Sequence, residues 1–404
     1  MASTIPIELQ EQILDCLLGD ISSLKSCSRV CRAWGPATRI HLYRKFTAVY
    51  DASTEQDDPA FYHCGMYVEE VLHLAPYIRE IDIQDGPGVF LEDGVASELH
   101  ALCNILDHTG SLRRISVSTF RGVFMTMRSW KENSVKFRAS LSAALRRSCS
   151  SLTHLFVYGY SLALSDVEMF RGMQRLEYVG LERIGVESDE NETPLVQISH
   201  DESHQGRIQT LTLYFNYSDP ANGHLITSLI NALHAVNILA ITNLRLGGVV
   251  NASVLEALPP QWLSSVTRLG LELTNLNPTH SSSPLSAALI AKVPTFRAVR
   301  ALELSLNIYP SADPHDLSAL EVFMDKLLPP HRIDSIITTV AAYGPPVYID
   351  ALLRHYDFCL LRADVVKVQW EDGRLEYLEG PFSQFFANGT MQIGKFRRDK
   401  WISW

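Results

Sequence analysis

The chain lacks the features that mark several large classes of protein. Its 404 residues include only seven cysteines, an odd number without a Cys-x-x-Cys pair, which fits a reducing compartment and no disulfide framework. Positive charge is also scarce. Lys and Arg number 35 against 45 Asp and Glu, a formal net charge of −10, so a sequence-independent grip on nucleic-acid phosphates is not expected. No apolar run approaches the roughly 18–20 residues that span a bilayer. The N-terminal stretch MASTIPIELQEQ carries neither the basic nor the apolar region of a secretory signal. The Asn-x-Ser/Thr tripeptides at Asn191, Asn216, Asn251 and Asn388 then read as chance matches, since glycosylation requires secretion. Phosphate-cradling glycine motifs are missing too, with neither G-x-x-x-x-G-K-[ST] nor G-x-G-x-x-G present. These absences predict a soluble protein of the cytoplasm or nucleus, with no nucleic-acid and no membrane partner.

What the chain has is enough apolar material for a folded core: 46% hydrophobic against 20% charged residues, over more than one average domain length. Residues 5–46 read as three short helices. Ser3 or Thr4 is placed to cap the first, and Pro6 suits an early helical position where its missing N–H costs nothing. Leu9, Ile13, Leu14 and Leu17 follow helical spacing, and Gly19 marks the stop. Asp20 or Ser22 is placed to cap a second helix carrying Leu24, Cys27, Val30, Cys31 and Trp34, which Gly35-Pro36 breaks. A third helix is expected over 37–46. A block of this size buries too little surface to be stable alone, so it needs a partner or the rest of the chain. Cys27 and Cys31 have no second Cys or His pair nearby and read as core thiols, not metal ligands.

The ordered set Ile5-Pro6-x-Glu8-Leu9-x3-Ile13-Leu14-x2-Leu17, then Asp20, Leu24, Cys27 and Val30-Cys31-Arg32-x-Trp34, resembles the F-box. The closing His41-Leu42-Tyr43-Arg44-Lys45-Phe46 is similar to the usual end of that motif, and the likeness spans about a tenth of the chain. F-boxes are helical plugs that dock on the Skp-type adaptor of SCF ubiquitin ligases. The resemblance implies that Pro6, Leu9, Ile13, Leu17, Val30 and Trp34 sit on or support an adaptor-binding face. The competing reading is that these helices simply cap the domain that follows.

After an acidic, turn-rich stretch at 51–59, one pattern recurs: apolar-x-x-apolar-x-apolar. It appears as Ile78/Ile81/Ile83, Leu112/Ile115/Val117, Leu152/Leu155/Val157 and Leu176/Val179/Leu181. It continues as Ile208/Leu211/Leu213, Val236/Leu239/Ile241, Val266/Leu269/Leu271 and Val299/Leu302/Leu304, with weaker copies from Ile333 and Ala363. The starts fall 24 to 40 residues apart and average about 32, a solenoid-range period. Helices are expected between the strands at 68–75, 98–107, 136–148, 225–235, 284–291, 317–328 and 347–355. Strand, helix, parallel strand is the βα unit. The copy Leu152-x2-Leu155-x-Val157-x2-Tyr160-x-Leu162 resembles the leucine-rich repeat, and Asn216 and Asn307 fall where that repeat places its Asn. The irregular copies are similar to the divergent leucine-rich-repeat-like domains of many fungal F-box proteins.

A doubly wound α/β domain shares this alternation, but its strands are near-continuous apolar runs. Here Arg79, Arg113, Thr153, Glu177, Thr212 and Arg268 interrupt the strands, which one sheet face open to water explains better. Asp372-Gly373 and Asn388-Gly389 are hairpin-turn signals, expected to close the last repeat with antiparallel strands. The basic end at 395–401 reads as a solvated part of that cap.

Catalytic constellations are not met. Gly159-Tyr160-Ser161-Leu162-Ala163 approaches the G-x-S-x-G elbow but has Ala163 for its second glycine. His200-Asp-Glu-Ser-His204 is similar to a zincin motif without satisfying H-E-x-x-H. Positions alternating with the strand core are, by contrast, rich in aromatics: His154, Phe156 and Tyr158, then Tyr178, then Tyr214. Such a cluster fits a target-recognition surface, or a surface covered by a loop or the C-terminal tail.

The expected fold class is α/β. An F-box of three helices occupies 1–48, a linker 49–62, a curved leucine-rich-repeat-like solenoid with a parallel sheet 63–370, and a β-hairpin cap 371–404. The resemblance implies a non-catalytic substrate-recognition subunit of an SCF-type (Skp-cullin-F-box) ubiquitin ligase, with no metal or other cofactor. Its partners would be the Skp-type adaptor, through it a cullin, and a target protein held by His154, Phe156, Tyr158, Tyr178 and Tyr214. The alternative is a protein-binding scaffold whose F-box-like helices only cap the solenoid.

Overall fold

The copies of the recurring apolar pattern that are described in full fold as strands. The computed structural model describes residues 5, 7–17, 20–30, 34–50, 72–85, 96–119, 128–163, 166, 173, 175–187, 208–215, 227–231, 233, 241–248, 257–274, 291–308, 325–327, 334–342, 364–370, 391–397 and 400–403. The chain is a mixed α/β protein that divides into two units, Met1–Tyr178 and Val179–Trp404.

The first unit opens with α1 (Ile7–Cys16), α2 (Ile21–Cys27) and α3 (Trp34–Leu42). Leu14, Leu24 and Thr38 are buried, and α3 packs on both other helices. Asp20 caps α2 as expected, its carboxylate accepting the Ser23 N–H at 3.0 Å. The boundaries differ from the sequence reading in two places. Gly35-Pro36 does not break α2, which already stops at Cys27; the pair stands in the first turn of α3, where helical N–H groups are unpaired anyway. α3 in turn ends at Leu42, short of 46. Lys45–Tyr50 is drawn off as strand β1, its Phe, Thr, Val and Tyr being good strand formers, and the linker expected from 49 begins inside it.

β2 (Glu80–Asp85), β3 (Arg114–Thr119), β4 (Arg128–Ser129), β5 (His154–Tyr158) and β6 (Tyr160–Ala163) follow. β1, β2, β3 and β5 lie side by side in chain order, all parallel, with Glu80 opposite Arg114 and Arg114 opposite His154. Helices α4 (Ala96–His108) and α5 (Val135–Arg147) match the expected segments and pack together; of the expected 68–75, residues 68–71 lie outside the described residues and the rest belongs to a 3-10 helix, Leu72–Tyr77, containing Pro76. Ile81, Ile83, Ile115, Val117, Leu155 and Val157 form the buried face of the sheet, while the residues between them are half-buried or exposed.

Each strand is entered in the same way. The Arg44 carbonyl accepts the N–H groups of Arg79 at 2.8 Å and Glu80 at 2.9 Å. The Arg79 carbonyl accepts those of Arg113 and Arg114, and the Arg113 carbonyl those of Thr153 and His154. One residue per strand thus stands directly beside its counterpart on the next. Gly159, with φ of +79°, turns the chain from β5 into β6; a Cβ there would lie 2.9 Å from the Thr119 carbonyl oxygen.

In the second unit, β7 (Tyr178–Glu187, whose first residue belongs to the first unit), β8 (Thr210–Phe215) and β9 (Asn243–Gly248) are followed by α6 (Pro260–Ser265) and β10 (Arg268–Thr274). β11 (Ala301–Ile308), β12 (Ser335–Ala342), β13 (Val365–Trp370), β14 (Met391–Arg397) and β15 (Lys400–Ser403) complete it. From β8 to β14 every neighbour is parallel and in chain order, without the order reversal of a doubly wound sheet. Of the strand expected on Val236/Leu239/Ile241, the first two residues lie outside the described residues and Ile241 precedes β9. Ile241, Leu244 and Leu246 are the buried set, and the Gln209 carbonyl accepts the N–H groups of Thr242 and Asn243. Two overlapping copies of the pattern share Ile241, and alternation alone fits both.

Of the helices expected here, 227–231, 233, 291–292 and 325–327 are helical, and 347–355 lies outside the described residues. Helix α6 was not anticipated, although Pro259-Pro260 is an apt start. Asp372-Gly373 and Asn388-Gly389 also fall outside the described residues, and the strands flanking them, β13 and β14, are parallel, so no hairpin joins those two. An antiparallel pair is formed by β14 with β15. Among the described residues no helix is long and apolar enough to cross a membrane.

Candidate functional site

Large apolar side chains left at the surface concentrate in the first helices. Six are exposed among the described residues, and five of them, Ile5, Leu9, Ile13, Val30 and Tyr43, precede the first strand. Leu9 and Ile13, one helical turn apart on α1, are 49% and 40% exposed, while Leu14 beside them is fully buried. Val30, in the turn after α2, is 67% exposed. Leu17 and Trp34 are half-buried, and Pro6 lies outside the described residues.

On the first unit's sheet, the half-buried face carries His154, Phe156 and Tyr158 at alternating positions of β5. His154 stacks on Tyr178, ring centroids 5.7 Å apart, and Phe156 stacks on Tyr158 at 6.3 Å. Four of the five aromatic positions singled out from sequence are therefore paired in this unit. Tyr214 belongs to the second unit, where its ring lies over Gly247. Burial holds the His154 imidazole below its ordinary pKa, the Arg114 charge adds to this, and Glu177 and Glu80 oppose it.

At the strand-entry edge of the same unit is a cavity of about 530 Å³. Among the described residues its wall gathers five arginines, Arg44, Arg79, Arg113, Arg114 and Arg175, with Glu80 as the one carboxylate. Arg44 Nε donates to Glu80 Oε1 at 2.8 Å, and Arg79 Nη1 donates to the carbonyls of Pro76 and Ile78. Among the described residues, Arg113, Arg114 and Arg175 form no ion pair. Sequence reasoning missed this cluster. Arg79 and Arg113 were visible as polar interruptions at equivalent places in consecutive copies, yet periodicity alone does not show that the strand-entry residues stack.

The two stretches that approach catalytic motifs do not form one among the described residues. Ser161 lies within β6, opposite Ser129 of β4, and not at a strand-to-helix elbow. His200 and His204 are outside the described residues, among which no three His, Cys, Asp or Glu side chains form a metal-binding group. Comparison of the sequence with protein-family models gives no match, and comparison with curated proteins gives none either.

Proposed function

We propose that this chain is a substrate-recognition subunit of an SCF-type ubiquitin ligase. Its N-terminal helices act as an F-box on a Skp-type adaptor and, through that, a cullin. The sheet-bearing remainder acts as a curved leucine-rich-repeat-like solenoid, closed by the C-terminal strand pair. A target protein is held on the open sheet face around His154, Phe156, Tyr158 and Tyr178. The chain then works by proximity, raising the effective concentration of target lysines at the charged enzyme without supplying chemistry of its own.

The observation that carries this reading is the exposure of Leu9, Ile13 and Val30. A three-helix block that served only as an internal cap would turn such side chains inward. A second reading, a scaffold with no ligase, draws on the direct run from α3 into β1, which makes the block continuous with the sheet.

Co-purification with a recombinant Skp-type adaptor separates the two. Leu9→Asp with Val30→Asp, both at exposed positions, is expected to weaken adaptor binding at least about 30-fold, the effect of losing a hot spot. Its melting temperature should stay close to that of the parent. Undiminished binding by this variant, or no binding by the parent chain, would sink the ligase reading.

A further inference from the structure

We infer that the first unit binds a small molecule bearing two or three linked or clustered phosphates, in the arginine-lined cavity at its strand-entry edge. The cavity shares His154 with the proposed target face, but its anion test does not involve the adaptor and is decided separately.

The charge balance points to the ligand. Among the described lining residues five arginines and one glutamate give a net +4 (5 − 1), in a chain whose formal net charge is −10. Among the described residues, Arg44 alone of the five has a carboxylate partner at hydrogen-bond distance. The crowding is built into the fold. Arg44, Arg79 and Arg113 occupy the same entry position on three successive strands, so each stands roughly 4.8 Å from the next. Like charges placed side by side across a sheet cost stability, and an anion seated among them removes that cost. Arg79 registers the crowding: burial, then the Arg113 charge, lowers its pKa.

Size and chemistry narrow the class. A cavity of about 530 Å³ is in the range that takes small molecules and is larger than a single phosphate requires. Guanidinium forks match phosphate oxygens two at a time, and Arg suits that contact better than Lys. A wall charge of +4 is matched by a di- or triphosphate and not by a monoanion. Ser111 and Ser151 are among the other lining residues.

Isothermal titration of the full chain with tripolyphosphate, pyrophosphate, phosphate and sulfate, at matched ionic strength, tests this. Affinity should fall in that order and weaken with added salt. Arg113→Gln with Arg175→Gln, both at exposed positions, should cost tripolyphosphate at least about 100-fold in affinity. The unliganded melting temperature should hold or rise, because crowded cations have been removed. If that variant fails to fold, Arg113→Lys with Arg175→Lys keeps the charge without the fork and should bind at least about tenfold more weakly. Equal affinity for sulfate and tripolyphosphate, or unchanged affinity in the folded variant, overturns the assignment. A doubly phosphorylated peptide binding more tightly than tripolyphosphate also overturns it, in favour of a modified protein.

Discussion

Arg245 Nη2 reaches Glu303 Oε2 at 2.6 Å across an intervening strand, over the residue that lies between them in register, Gly270. A Cβ on Gly270 would lie 2.8 Å from Arg245 Cγ, so the arginine stem occupies the space a side chain would fill. Tyr214 uses Gly247 in the same way: a Cβ there would meet the tyrosine ring at 2.5 Å and Glu272 Cβ at 3.0 Å. Glycine weakens a strand interior, but at these two places it lets long side chains lie flat along a row of the second unit's sheet.

A double-mutant cycle on Arg245→Ala and Glu303→Gln is expected to give a coupling of about 0.5–1 kcal/mol at low salt, as for partly exposed ion pairs. In a Gly270→Ala background the coupling should vanish, because the stem is displaced. Coupling that survives in that background would show that the bridge does not depend on the glycine.

Gly159→Ala places a Cβ on a backbone with φ of +79°, against the Thr119 side chain at 2.8 Å and its carbonyl oxygen at 2.9 Å. The carbonyl is fixed by the sheet and cannot yield as a flexible side-chain end does. The left-handed backbone and the clash together should cost about 2–3 kcal/mol, read as a lowered urea midpoint. A midpoint equal to that of the parent would mean the β5–β6 turn relaxes freely.

His154 gives stability a pH dependence. Its folded pKa lies below the ordinary 6.5, chiefly through burial and then through Arg114, with Glu177 and Glu80 pulling the other way. Between the two values the unfolded chain binds more protons than the folded one. Stability is therefore complete above 6.5 and declines as pH falls towards the folded value. The drop in melting temperature between about pH 7.5 and pH 5.5 should be smaller in His154→Phe, which keeps a ring against Tyr178. Equal drops in both proteins would exclude this contribution.

Much of the fold was legible as period. Leu9, Ile13 and Leu14 announce α1 by their spacing, and triplets such as Leu112/Ile115/Val117 announce strands, because both patterns follow from local backbone geometry. Where two local readings compete, spacing does not choose. Ile241 belongs to two copies of the strand pattern, and β9 follows the later one. Residues 43–46 fit the end of a helix, yet Lys45 and Phe46 pair with Glu80 and Ile81, more than thirty residues on.

The candidate sites divide along the same line. Leu9, Ile13 and Val30 were marked by sequence because an ordered motif lies within one short stretch, and all three are exposed. The arginine cavity was not, since Arg44, Arg79, Arg113 and Arg175 come from separate copies. The sequence by itself determined the kinds of element, their order and the absence of familiar catalytic motifs, all of which depend on neighbours within a few positions. Only the tertiary structure decided which copies stand side by side, because a parallel ladder joins residues a whole crossover apart, and that distance is what places like charges around one cavity.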